Sequence, residues 1–352
     1  MKIRILPETH EMVSNPYYFT VLIKQCTKPR ESSNKEHVIL QLHKILHDDM
    51  GYKITKRACE VLIQTAIKMR LVFNDLHWDA RGHVINTVSS SEVGLSQAEK
   101  IAYLKYFLDI DGAAIIHLMN ELNTQSEIKK AQFVRNHNIE RMVKNIATTY
   151  LAKTSDIKER HFLLNLLRNA ERGYSQHYRL HKITPRMHIL SKLGLVDITK
   201  NGQECYKPMI AYTREKEINL VRLFLENFSS IDALDQILGK DGDFFKRAAN
   251  LYLITCDSID LNTDLELVTK EIMNTYSRVK DETFGLASLE AIRDIVCLNL
   301  LIKYSKICEW KHVDKVIGHL RKIFEKEMRY HVDDWGVIKY ITIDEKLVQK
   351  YV

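Results

Sequence analysis

Two histidines four residues apart could hold a metal ion or share a proton. His177 and His181 lie in the segment YSQHYRLHK, and this spacing places both imidazoles on one face of a helix. Zinc sites in proteins use at least three side-chain ligands, and the sequence offers no third ligand near this pair. We therefore expect the two histidines to stack, to contact a phosphate or to be exposed, and we predict neither a metal ion nor a cofactor.

An acidic residue two positions before a lysine could serve a metal-dependent nuclease, in which carboxylates hold Mg²⁺ and the lysine orients the nucleophile. Glu309 and Lys311 have this spacing, but their segment shows helical periodicity instead of the adjoining strands that such a site needs. The segment ILGKDGDFF lacks the Ser or Thr that follows the lysine of a phosphate-binding loop. We recognise no catalytic motif, so a non-enzymatic function is favoured.

Positive charge is concentrated in one part of the chain. The segment 151–212 contains eleven lysines and arginines against five acidic residues, a net charge of +6 in a chain of 352 residues with a total of +7. A concentration of this kind is typical of a surface that binds phosphates. The candidate nucleic-acid contacts are Arg179, Lys182, Thr184, Arg186, His188, Ser191, Lys192, Lys200 and Asn201, together with Lys56 and Arg57 in an earlier helical segment.

The segment KITPRMHILSKLGLVDITKNGQECYKP would position most of these candidates. Thr184 is a suitable N-cap, and Pro185 fits the first position of a helix, where its missing N–H costs nothing. Ile189, Leu190 and Leu193 share one side of this predicted helix, while His188, Ser191 and Lys192 face away. Gly194 predicts the end of the helix, and the Asn-Gly pair at 201–202 predicts a hairpin between two short strands.

Helix, glycine, strand, turn and strand is the order found in the second half of a winged helix. The run LSKLGLVDITKNGQECY resembles the recognition helix and wing of winged helix-turn-helix DNA-binding domains. The resemblance implies that double-stranded DNA is the partner, with His188, Ser191 and Lys192 entering the major groove. It also implies that Lys200 and Asn201, at the tip of the wing, contact the backbone or the minor groove.

The rest of the chain predicts a mainly α, multi-domain protein with winged-helix-like units, short antiparallel hairpins and helical connectors. We expect units at 1–91, 151–212 and 283–352, connected by helical segments at 92–150 and 213–282, and no sheet of five or more strands. The nine residues from His77, HWDARGHVI, align with HVDDWGVIK from His331, which predicts a hairpin at each place and suggests a duplication. Glu60 lies among the cations of the first unit, so packing is favoured there, and mixed charge in the third favours packing or dimerisation.

Composition excludes several classes of protein. Apolar residues make up 45% and charged residues 28%, which is ordinary for a globular chain. The six cysteines are scattered and are expected to be reduced, and neither a signal peptide nor a membrane span is evident, which favours the cytoplasm. We predict a DNA-binding protein, either a transcription regulator or the recognition component of a restriction or phage-defence system that acts in antiviral defence. The alternatives are a helical scaffold for protein partners and a nuclease with an unrecognised active site.

Overall fold

The computed structural model describes residues 2–6, 14–26, 34–49, 51, 54–90, 94–135, 138–201, 203–214 and 216–352. Helices account for 61% of the chain and strands for 12%, so the predicted mainly α class is confirmed. The helices are α1 (Tyr17–Gln25), α2 (Lys35–His43), α3 (Lys56–Lys68), α4 (Ala80–Val88), α5 (Gln97–Thr124), α6 (Lys130–Arg135), α7 (Asn138–Leu151), α8 (Ile157–Arg172), α9 (Gln176–Lys192), α10 (Leu220–Asn227), α11 (Ile231–Ile237), α12 (Phe244–Leu251), α13 (Leu265–Val279), α14 (Leu289–Tyr304), α15 (Trp310–Ile323) and α16 (Glu345–Tyr351), and a π-helical turn covers Lys44–Asp49.

The strands are short and form sheets of two or three strands within the described residues. This confirms the prediction that a larger sheet is absent from that part of the chain. The strands are β1 (Ile128–Lys129), β2 (Val196–Asn201), β3 (Gln203–Pro208), β4 (Ile210–Tyr212), β5 (Glu217–Asn219), β6 (Asp257–Ser258), β7 (Ala287–Ser288), β8 (Lys306–Ile307), β9 (Met328–Val332) and β10 (Ile338–Ile343). Among these strands, all pairs are antiparallel except β6 with β8.

The chain divides into two compact units, each built from distant segments. Unit 1 contains residues 1–18 and 103–236, and unit 2 contains residues 19–102 and 237–352. This grouping differs from the five consecutive segments expected from the sequence, because residues that are far apart along the chain pack into one core. Among the described residues, no helix combines the length and apolar character needed to cross a membrane.

In unit 1, α9 is followed by the predicted hairpin. Strands β2 and β3 pair from Val196–Pro208 to Asn201–Gln203, and β1 pairs with the outer side of β3, which gives the order β1-β3-β2. Gly194 has a φ of +79°, so the predicted left-handed end of the helix is confirmed. The Leu195 N–H then donates to the Leu190 carbonyl, which is the usual way in which such a helix end satisfies its carbonyls.

The predicted start of this helix was wrong. Helix α9 begins at Gln176, and Ser175 is its N-cap because the Ser175 side chain accepts a hydrogen bond of 3.2 Å from the Tyr178 N–H. Pro185 therefore lies inside the helix, where it removes one backbone hydrogen bond. Ser175 provides a good N-cap, and the residues between Ser175 and Pro185 are helical. The stability of this first part of the helix outweighs the backbone hydrogen bond that is lost at Pro185.

The C-terminal part of unit 2 contains a second three-stranded sheet. Helix α13 is followed by the short strand β7, then by α14, the two-residue strand β8 and α15, and finally by the hairpin β9–β10. Strand β10 pairs with both neighbours, so the order is β7-β10-β9: first strand, third strand, second strand, as in unit 1. Gly336 has a φ of +74° at the turn, in agreement with the predicted left-handed glycine.

The hairpin predicted at His77 does not form as expected. Within the described range 71–88, a single bridge joins Val72 and Trp78, and the following residues form α4 with Asp79 as its N-cap. Gly82 lies so close to the backbone of Leu71 that a Cβ atom would come within 2.1 Å of the Leu71 carbonyl oxygen. The glycine thus permits close packing of a helix instead of closing a turn, and the alignment with the segment from His331 does not reflect a repeated hairpin.

Candidate nucleic-acid interface

The middle of α9 is buried on all sides. Every residue from Lys182 to Met187 is buried, and the exposed fractions are 4% for Lys182, 5% for Thr184 and 1% for Arg186. A helix that is buried all round packs inside a core and cannot enter a DNA groove along that length. The expectation that these three residues face a duplex therefore needs correction, because none of them reaches the surface of unit 1.

Arg186 forms the centre of a buried ionic link within unit 1. Its guanidinium binds the Asp111 carboxylate through two contacts, Nε to Oδ2 at 2.6 Å and Nη2 to Oδ1 at 2.8 Å. Arg186 also donates to the carbonyls of Lys182 and Leu6, and the Leu6 N–H donates to Asp111 Oδ1 at 2.8 Å. The pair thus joins α9 to the N-terminal segment and to α5 at Asp111, where the α5 backbone departs from helical geometry.

Arg179 and His188 are also held by carboxylates of unit 1. Arg179 Nη2 lies 2.7 Å from Glu140 Oε1, and the Tyr174 N–H donates to the same oxygen at 2.9 Å. Burial opposes ionisation of Glu140, but the hydrogen bonds from Tyr174 and Arg179 outweigh it, so the pKa of Glu140 is lowered. His188 Nε2 lies 3.1 Å from Glu204 Oε1 on β3.

The remaining candidates whose side chains are described reach the surface at least in part. Ser191 is half-buried, and Lys192 and Lys200 are exposed at the last turn of α9 and in β2. Lys56 and Arg57 are exposed at the start of α3 in unit 2. Asn201 ends β2, and its side chain lies outside the described part of the structure. Of the cations predicted on α9 and its hairpin, only a few, such as Lys192 and Lys200, are therefore exposed.

Helix α15 of unit 2 has a continuous basic face that sequence analysis missed. Val313, Val316, Ile317 and Leu320 are buried on one side of the helix. The opposite side of the helix, by its 100° rotation per residue, carries Lys311, Lys315, Gly318, His319 and Lys322. Lys315, His319 and Lys322 are exposed, and no heavy atom lies within 4 Å of the position of a Cβ at Gly318. This face is referred to below as the α15 basic face.

The acidic residue of α15 is directed away from this face. Asp314 accepts two hydrogen bonds from Arg293, at 2.7 and 2.9 Å, and Lys240 lies 3.5 Å from the same carboxylate. Read linearly, Lys, Asp, Glu and Arg alternate along this segment and no charged surface is evident. The basic face could have been predicted from the spacing of positions 311, 315, 319 and 322. A helical projection of the sequence separates these residues from Asp314, whereas the linear order does not.

Glu309 serves to cap a helix. Its carboxylate is buried and accepts hydrogen bonds from the N–H groups of Lys246, at 2.7 Å, and Phe245, at 3.3 Å, at the start of α12. Burial raises the pKa of Glu309 to about 7 despite these hydrogen bonds, and the charges of Asp243 and Cys308 add to the rise. The acidic-x-Lys spacing is therefore explained by a cap at Glu309 and a surface lysine at 311.

His177 and His181 contact each other, as their spacing predicts. Their Nε2 atoms are 2.8 Å apart and the two rings meet edge to face with centroids 4.2 Å apart. One imidazole can donate a proton to the other when they are in opposite tautomers. The described residues contain no group of three or more His, Cys, Asp or Glu side chains arranged to hold a metal ion.

Comparison with known proteins gives no relative. No family model, no curated protein and no solved structure matches the chain. Function must therefore be argued from the order of elements and from the chemistry of the surfaces described above.

Proposed function

We propose that the protein binds duplex DNA through the α15 basic face, which belongs to a winged-helix-like unit that the β9–β10 hairpin completes. The order α13, β7, α14, β8, α15, β9, β10, in which β8 pairs with β6 outside this sheet, and the strand order β7-β10-β9 support this proposal. In a winged helix the helix before the hairpin lies in the major groove, and the hairpin contacts the adjacent backbone. Helix α15 has this place in the chain.

The proposal rests on one observation: the lysines of α15 and its buried apolar residues lie on opposite sides of the helix. Lys311, Lys315 and Lys322 lie on the side opposite the buried residues, so the helix can pack on its own unit while it neutralises phosphates. Gly318 lies between them without a side chain, which permits close approach of a sugar-phosphate backbone. His319 is placed to reach a base edge.

The biological setting that we propose is a transcription regulator or the recognition component of a restriction or phage-defence system. A protein scaffold is the second candidate, and the wing itself favours it. Trp335 is 88% exposed at the tip, with Val332 and Val337 also exposed beside it. Asp334 is exposed at the same turn and would repel phosphate, so the tip suits an apolar surface better than a DNA backbone.

The test measures duplex affinity by fluorescence anisotropy over a range of salt concentrations. The variant Lys311→Gln/Lys315→Gln/Lys322→Gln should bind more weakly, and the slope of log affinity against log salt should fall by about 0.9 for each phosphate that the variant no longer neutralises. The control Lys35→Gln/Lys270→Gln/Lys303→Gln removes the same charge from three exposed lysines of unit 2 outside α15. Equal weakening in both variants would contradict the proposal, and salt-independent capture of a protein by the wild type, without duplex binding, would favour the scaffold.

A further inference from the structure

A cleft of about 650 Å³ lies within unit 2, beside the first turn of α15. Its walls come from the turn between α3 and α4, from the start of α14, and from β10. The volume falls within the range of about 300 to 1,000 Å³ that is typical of sites for small ligands. Neither the capping roles nor the basic face described above accounts for this cleft.

Aromatic rings form much of the lining. Phe73 and Tyr340 are 47% and 41% exposed, so each presents part of its ring to the solvent. Two indoles of the lining are fixed by hydrogen bonds, Trp78 Nε1 to the Ile23 carbonyl at 2.9 Å and Trp310 Nε1 to Asp294 at 2.7 Å. The cleft thus offers two partly exposed aromatic rings beside two indoles whose positions are fixed by hydrogen bonds.

Each of the cations Arg70, Arg293 and Lys339 of the lining is paired with a carboxylate. Arg70 lies 3.0 Å from Glu290, and Lys339 lies 2.9 Å from Asp333 at the turn of the wing. Arg293, whose guanidinium lies 5.3 Å from the centre of the Trp310 ring, is bound to the carboxylate of Asp314. These pairs favour a neutral ligand with a flat ring and several hydrogen-bonding groups over a strongly charged one.

The cleft borders the surface proposed for DNA. Trp310 is the first residue of α15, and Lys339 and Tyr340 belong to the wing strand β10. On the helical projection, Trp310 and Asp314 lie on the flank next to Lys311 and Gly318. A base that leaves a duplex held on the α15 basic face would therefore meet the mouth of the cleft.

From these observations we infer that the cleft holds an unpaired nucleobase, an inference that rests on the proposed function. The base stacks on the exposed rings of Phe73 and Tyr340. A base that is mismatched or unpaired is extruded at lower cost than a paired one, so the protein prefers DNA that contains such a base. A free nucleotide carries the same kind of base, and the experiment distinguishes a base of a DNA strand from a base of a free nucleotide.

The experiment compares a fully paired duplex with the same duplex that carries one central mismatch, by anisotropy at one salt concentration. The wild type should bind the mismatched duplex about tenfold more tightly, because less unpairing is required. Phe73→Ala, outside the hairpin, should abolish this ratio and keep the affinity for the paired duplex. Tyr340→Ala should also abolish the ratio, whereas Tyr340→Phe should retain it. Tyr212→Ala removes a tyrosine that is 75% exposed in unit 1 and is the matched control, in which the ratio should not change.

A second arm titrates 2′-deoxyadenosine monophosphate and follows tryptophan fluorescence. Saturable quenching that disappears in Tyr340→Ala would assign the cleft to a free nucleotide, whereas mismatch preference without quenching assigns it to a base in a strand. Equal affinity of the wild type for both duplexes, together with no response to the nucleotide, would overturn the inference and leave duplex binding intact. Failure to bind either duplex would instead overturn the proposed function.

Discussion

Arg186 shows how a residue can match a binding pattern and serve a structural purpose. It lies in a basic segment, yet its guanidinium is buried against Asp111 and two carbonyls of unit 1. Sequence analysis could identify the cation but not its partner, because Asp111 is 75 residues away along the chain. The net charge of a segment therefore overestimates the charge that its surface presents.

The buried pair gives a prediction on stability. Arg186→Met should lower the free energy of unfolding by about 3 to 5 kcal/mol, because the charge of Asp111 is left buried without its partner. Lys192→Met, at an exposed site in the same helix, should change it by no more than about 0.5 kcal/mol. Urea unfolding measures both values, and a loss of similar size at the two sites would contradict the structural assignment.

Glu309 gives a prediction on pH. Its pKa is raised from 4.5 to about 7 by burial. Between these two pH values the Glu309 carboxyl keeps its proton in the folded chain and has lost it in the unfolded chain. The stability that this neutral group contributes is complete below about pH 4.5 and is lost as the pH rises through about 7, a change of about 3 kcal/mol. Glu309→Gln should flatten this part of the profile of melting temperature against pH. If the melting temperature of the variant changes with pH between 5 and 8 as steeply as that of the wild type, the assignment of this pH dependence to Glu309 is refuted.

At the scale of the elements, the left-handed helix ends are a repeated device. Arg70, Gly194 and Leu253 each follow a helix with a positive φ, and in each case the next N–H bonds to a carbonyl five residues back. Gly194 was predictable because glycine favours this geometry. Arg70 and Leu253 were not, because a side chain disfavours this backbone conformation and neither residue type signals it.

These helix ends predict opposite effects for two substitutions. Gly194→Ala should destabilise the protein by about 1 kcal/mol, because φ is +79° and no neighbouring atom restricts the new methyl group. Ser305→Gly, at the exposed end of α14 with a φ of 53°, should stabilise it by about the same amount. Equilibrium unfolding in urea provides the comparison, and a stabilising Gly194→Ala would contradict the strain argument.

The elements that sequence predicted well are those with a local signal. The hairpin after α9 was anticipated from its Asn-Gly pair, and the hairpin β9–β10 from Asp333 and Gly336. The segment from His77 carried a similar Asp and Gly, but there Asp79 caps a helix and Gly82 permits contact with Leu71. The same residue types therefore occur at a turn in one segment and at a helix in the other. The nine aligned residues do not show which of the two structures forms.

At the scale of the whole molecule, the sequence predicted α9 as the DNA-binding helix, and the middle of that helix is buried. Local charge favoured α9, whereas the fold buries residues 182–187 of α9 and leaves α15 with one basic face. Burial depends on long-range packing, such as the contact of residues 2–6 with α9, which no periodicity in either segment reveals. The proposal of DNA binding is thus retained from the resemblance, with its principal surface moved to unit 2.

The most direct test of this account is photo-crosslinking to a labelled duplex. The photoreactive residue p-benzoylphenylalanine replaces His319 on the α15 basic face in one protein and Lys192 on α9 in the other. Both positions are exposed, so the two probes are equally able to react with a bound strand. The account predicts a covalent adduct with DNA from position 319 and little or none from position 192. An adduct from position 192 but not from position 319 would contradict it and return the interface to α9.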